Sequence, residues 1–219
     1  MQRFKLLGLT VLAVFVLGAV ASSSAFGALP TVLPETAKIS GTTGKGTLET
    51  TEGLAITCEK STVSETAFKT KGAFHITFTG CTGPAKEKCE SLGDAAGIIL
   101  VLGEYHFVFI TLSPLVVGLA LLLSPEVHID CLTIIGEVLL LVKGCIVGSV
   151  SPINTSTTAF TGVIEQTKGD NKFQSFENDT GEAVPCFLLT KKGAGAFILS
   201  GDESAENKFT STAAVEIMG

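Results

Sequence analysis

The chain reads as all-β, an antiparallel sandwich or barrel-like meander that follows a cleaved signal peptide, and three observations predict it. From Gly97 onward the apolar runs are broken at Gly103-Glu104, Ser113-Pro114, Ser124-Pro125, Gly136-Glu137 and Lys143-Gly144. Breaks roughly every eight to twelve residues are the spacing of strands and turns. Second, AFHITFTGC alternates strictly, with Phe74, Ile76 and Phe78 on one face and His75, Thr77 and Thr79 on the other, the period of a half-buried strand. Third, FVFITLSPLVVGLALLL at 107–123 is uncharged throughout but contains Pro114 and Gly118. A helix crossing Pro114 would lose a backbone hydrogen bond and clash with its preceding turn, so the stretch reads as two core strands.

Residues 1–27 open with Arg3 and Lys5, continue through LLGLTVLAVFVLGAV and end in small residues, the order of a secretory signal peptide. Cleavage after Ala25 or Gly27 leaves small residues at the two restricted positions. The leader over 28–46 holds prolines, glycines and threonines without periodicity and reads as exposed and flexible. LPETA at Leu33 to Ala37 resembles a sortase signal but lacks the C-terminal tail such a signal needs. GTTGKGT at Gly41 to Thr47 lacks the Ser or Thr that must follow the lysine of a phosphate loop.

A single β domain is expected over 47–219. TLETTEGLAITC is a hairpin turning at Glu52-Gly53. EKSTVSETAF and AFHITFTGC pair about Lys69 and Thr70, which sets Val63 against Ile76 and Cys58 opposite Cys81. The pieces GIILVL, YHFVFITL, LVVGLALLL, EVHIDCLTII and VLLLV are apolar on both faces, which implies burial on two sides, or on one side plus an oligomer contact. Further on, TAFTGVIEQT and KFQSFEN flank KGDN, AVPCFLLT precedes KKGAG, AFILS precedes the turn GDESAEN, and FTSTAAVEI points Ala213, Val215 and Ile217 inward.

Charge and cysteine usage narrow the function. The chain has 15 Lys plus Arg against 21 Asp plus Glu. Loss of Arg3 and Lys5 with the signal peptide leaves 13 basic residues, a net charge of −8, and no arginine. Nucleic-acid binding is thereby not expected on electrostatic grounds, and an anionic membrane surface would repel the chain. A transmembrane helix beyond the signal peptide is not expected either, since Ser124 to Val142 carries Glu126, Asp130 and Glu137 where cytoplasmic lysines should stand. Six cysteines, Cys58, Cys81, Cys89, Cys131, Cys145 and Cys186, form an even set in an exported chain and read as a disulfide framework. Cys58–Cys81 is the preferred bridge and Cys81–Cys89 its rival.

No catalytic motif is present. His75, His106 and His128 sit in separate strands, and no cofactor is implied. Two or three of the histidines with Asp130 could bind a metal if neighbouring strands brought them together, but the acidic loops are the better candidates: Asp170, Glu177, Asp179 and Glu182 in DNKFQSFENDTGE, and Asp202, Glu203 and Glu206 in GDESAEN, supply oxygens of the kind Ca²⁺ takes, without the spacing of a known site. Asn154-Thr155-Ser156 and Asn178-Asp179-Thr180 fit the glycosylation sequon.

A cysteine-bearing strand, then HIDCLTIIGEVLLLVKGCIVGSVSPINTSTTAF and EQTKGDNKFQSFE, resembles a group of uncharacterised secreted proteins of high-GC Gram-positive bacteria. The likeness covers Thr47 to the C-terminus and implies export and β structure, with no activity attached. The expectation is a secreted or cell-surface structural or binding protein with an extracellular or cell-envelope partner. Two alternatives stand beside it: a membrane-associated or self-assembling protein using 107–123, and a secreted hydrolase.

Overall fold

The computed structural model describes residues 29–133, 136–178 and 180–219, and the signal peptide expected over 1–27 lies outside them. Among the described residues there is no helix. The chain is built from strands: β1 (Thr31–Leu33), β2 (Lys38–Thr43), β3 (Gly46–Thr50), β4 (Ala55–Cys58), β5 (Lys60–Ala67), β6 (Lys71–Thr79), β7 (Cys89–Ser91), β8 (Ile98–Leu112) and β9 (Leu115–Leu123). The second half supplies β10 (Val127–Thr133), β11 (Gly136–Ser151), β12 (Thr157–Ile164), β13 (Gln166–Thr167), β14 (Asp170–Asn171), β15 (Ser175–Glu177), β16 (Ala183–Pro185), β17 (Leu188–Lys192) and β18 (Ile198–Met218).

The pairings close on themselves. β8 pairs with β6, β6 with β5, β5 with β2, β2 with β18, β18 with β12, β12 with β11, β11 with β9, and β9 returns to β8. All are antiparallel, so the sheet is a closed barrel, an arrangement that leaves no edge strand along the circuit. At one end β11 and β18 leave this circuit and take new partners: β10 and β17 on β11, β17 and β3 on β18. β4 and β7 extend that end. Ser91 Oγ on β7 accepts from the Leu100 N–H at 2.8 Å and donates to its carbonyl at 3.3 Å, which joins β7 to β8.

The alternation expected in β6 is present, with Val63 opposite Ile76. The stretch 107–123 is the hairpin of β8 and β9, turning at Ser113-Pro114 between Leu112 and Leu115. Both its faces are buried, each for its own reason. Phe107, Leu119 and Leu121 point into the barrel, where Phe107 packs with Tyr105 and Phe68. Val108, Ala120 and Leu122 point outward beneath a strap, residues 173–178 and 180–186, that carries Phe173, Phe176 and Cys186. Glu177 of β15 lies against Phe109 of β8, and the Cys145–Cys186 bridge pins the strap to β11.

Cys58 is bonded to Cys81, the preferred pairing. The rival Cys81–Cys89 is replaced by Cys89–Cys131, because β7 lies beside β10 with Cys89 directly opposite Cys131. In the chain-entropy view each bridge is worth about 2–4 kcal/mol.

Several expectations are corrected. The stretch read as an exposed leader over 28–46 contributes β1 and β2: β1 pairs with the end of β18, β2 lies between β18 and β5, and Val32 is fully buried. Gly103-Glu104 and Lys143-Gly144 are not turns, since β8 and β11 run through them. At Gly103 an added Cβ would meet the Leu122 carbonyl oxygen. Gly144 has φ 104° and is where β11 exchanges β17 for β9. These glycines mark bends and close crossings, which a string of turn residues does not distinguish from turns. GDESAEN likewise lies within β18. Ala213 is exposed although Val215 and Ile217 are fully buried, because β18 carries an irregularity there: Thr157 and Ala159 of β12 face Val215 and Thr210.

Candidate functional site

The barrel is not solid. A cavity of about 180 Å³ runs through its interior, spanning the two core clusters that meet there. Its walls follow from strand alternation: every second residue of β6 (Phe74, Ile76 and Phe78) and of β9 (Leu119, Leu121 and Leu123) faces inward. Phe68, Phe107 and Phe160 gather at one end, with ring centroids 5.5 Å apart for Phe68–Phe107 and 5.4 Å for Phe68–Phe160. Small barrels are ordinarily filled by their own side chains. Here aromatic and branched residues line the wall without meeting in the middle.

The polar side chains on the wall are mostly turned to the protein. Thr43 Oγ1 and Ser61 Oγ share a hydrogen bond of 2.9 Å. Tyr105 donates to the Ala67 carbonyl at 2.5 Å and accepts from the Lys69 N–H at 3.1 Å, and burial pushes its phenol pKa up. Asn207 donates to Ser204 Oγ at 2.9 Å and to the Gly162 carbonyl at 3.1 Å.

Asp202 differs. Its residue lies on β18 opposite Leu48 of β3, and its backbone N–H donates to Asn171 Oδ1 at 3.0 Å. It is the one charged residue among the described residues lining the cavity. Burial in these surroundings, with Glu203 beside it, raises its pKa from 3.8 to about 7, against a weaker opposing effect from a backbone hydrogen bond to Glu203. By surface area Asp202 is half-buried, but a cavity wall can be accessible to a small molecule and still be remote from bulk water, so desolvation governs its ionisation.

Sequence reading placed Asp202 in an exposed turn and missed the cavity. The inward period changes along β18, since Gly162 and Ile164 of β12 face Asn207 and Ser204, a three-residue step against two. Asp202 and Ser204 therefore face inward on even positions, and Asn207 and Phe209 on odd ones. A bulge of this kind hides a strand from any search for strict alternation.

The loop carboxylates are spread apart and occupied locally. Asp170 accepts from Gln174, while Glu182 Oε2 accepts from Thr180 Oγ1 at 3.2 Å and Asn178 Nδ2 at 3.3 Å. Glu177 lies on β15, and Asp179 is outside the described residues. His75 and His128 are exposed on β6 and β10, and His106 on β8 stands 3.7 Å from Glu104. Among the described residues no three His, Cys, Asp or Glu side chains gather as a metal site. The Asp130 carboxyl close to Glu137 raises the pKa of Glu137.

Compared with family models, curated proteins and solved structures, the chain matches none.

Proposed function

We propose that this is an exported, non-enzymatic binding protein that holds one small apolar molecule inside its barrel. The observation that carries the reading is the apolar cavity of about 180 Å³ inside a closed sheet. An engineered apolar cavity of roughly 150 Å³ in another protein admits benzene, which sets the ligand size at a substituted benzene or a short alkyl chain. Three disulfides, the usual property of extracellular proteins, support an extracellular location, as does the resemblance to exported chains. The membrane-associated alternative has less support, because the outward face of the β8–β9 hairpin is covered by the strap. The hydrolase alternative has little, because the three histidines lie on different strands.

The test is calorimetric titration of toluene and benzyl alcohol into purified protein, beside the variant Leu121→Phe, which adds a ring to the cavity wall. Saturable one-to-one binding by the natural protein, weakened in the folded variant, is expected. Absence of saturable binding to the natural protein would overturn the reading.

A further inference from the structure

The cavity is apolar around a single carboxyl group, and that asymmetry says what its occupant should carry. We infer that the ligand is a small apolar amine, its ring or chain against the β6 and β9 walls and its ammonium on the Asp202 carboxylate. The inference rests on the binding-protein reading and narrows it to one chemical class.

No Lys, Arg or His is among the described residues lining the cavity, so no protein cation faces Asp202 there. Leu48 faces it from β3. The neighbouring Glu49 is turned to Gln166 Nε2 at 3.1 Å, and Asp170 of β14, which packs on β18, accepts from Gln174. Glu203, next along β18, is exposed and adds a further negative charge. The groups around Asp202 are therefore neutral or acidic, and its charged form is short of a counterion. A carboxylate in apolar surroundings is costly unless paired. A ligand cation supplies the missing partner, whereas a ligand carboxylate would add a second negative charge. The other polar groups on the wall with known partners, Tyr105, Asn207, Ser204, Thr43 and Ser61, are already hydrogen-bonded within the protein. Among the described residues lining the cavity, Ser149 and Asp202 have bonding capacity left for a ligand, and only Asp202 can pair with a cation.

Because an ammonium needs the ionised carboxyl, protons compete with it. With the Asp202 pKa at about 7, the ionised fraction falls about 100-fold between pH 8 and pH 5. The experiment titrates benzylamine, benzyl alcohol and toluene into the natural protein and Asp202→Asn at both pH values. Benzylamine should bind about tenfold or more tighter than the two neutral probes at pH 8, lose that preference at pH 5, and show none in the variant. Binding of the neutral probes should hardly change with pH or substitution. If they bind and benzylamine shows no preference, or Asp202→Asn keeps it, the amine assignment is overturned and the binding-protein reading stands. If none of the three binds, both fall. The pH profile of the natural protein decides the matter even if the variant does not fold.

Discussion

At the scale of single residues, Asp202 makes the stability of the empty protein depend on pH. Its carboxyl is raised from 3.8 to about 7 on folding, so the folded chain holds a proton that the unfolded chain releases. The stabilisation is complete below about pH 4 and is lost as pH rises through about 7. Urea unfolding at pH 5 and pH 8 should show lower stability at pH 8, beyond the contribution of other groups, and Asp202→Asn should remove that part of the decline. A second position is set by geometry alone. Gly144 has φ 104°, and a Cβ there would strike the Phe187 carbonyl oxygen. Gly144→Ala should cost about 2–4 kcal/mol by the same denaturation measurement, while Gly53→Ala, at a turn with open space around it, should cost about 1 kcal/mol.

At the scale of elements, the strap over β8 and β9 is held by one covalent bond, the pairing of β15 with β8 and a small apolar cluster. Replacing both Cys145 and Cys186 by Ala should lower stability by about 2–5 kcal/mol and make 173–187 the first site of limited proteolysis. Equal protection of that segment in the natural and altered proteins would show that the β15–β8 pairing and the cluster suffice. The hairpins were legible in the sequence where period and turn agreed. Val63 against Ile76 and Cys58 near Cys81 follow from symmetry about Lys69-Thr70, and Ser113-Pro114 closes β8 and β9. Legibility failed where one strand serves two sets of partners. β11 passes Gly144 and β18 passes Asp202 without turning, and their local composition resembles loops. β1 was hidden because a three-residue strand needs only one buried side chain, Val32, and a distant partner, Ile217, and β2 because one of its two buried positions, Ile39 and Gly41, is a glycine among turn-type residues. The cavity was invisible for a related reason: alternation says which residues face inward, not whether they meet.

At the scale of the whole molecule, the three disulfides and the closed sheet predict behaviour in an exporting bacterium. On the proposal that the chain is exported, the product should be cut near Ala25 or Gly27, soluble after carbonate extraction and lighter by six hydrogens than the reduced chain. Retention in the membrane pellet would return attention to the β8–β9 hairpin and to the face it presents. Among the described residues no helix is long and apolar enough to cross a membrane.

The long strands β8, β11 and β18 pass from one end of the barrel to the other: β8 and β11 contribute side chains to both core clusters, and β18 pairs with β3 and β17 at one end and β1 at the other. A seam between two halves would let one half open while the other held. Here the aromatic end around Phe68 and the disulfide end around Cys89 share their supports, so loosening either one slackens the threads that hold the other. Melting should therefore be a single event, with a probe at either end reporting the same midpoint, and an occupant of the cavity would tighten the whole weave at once.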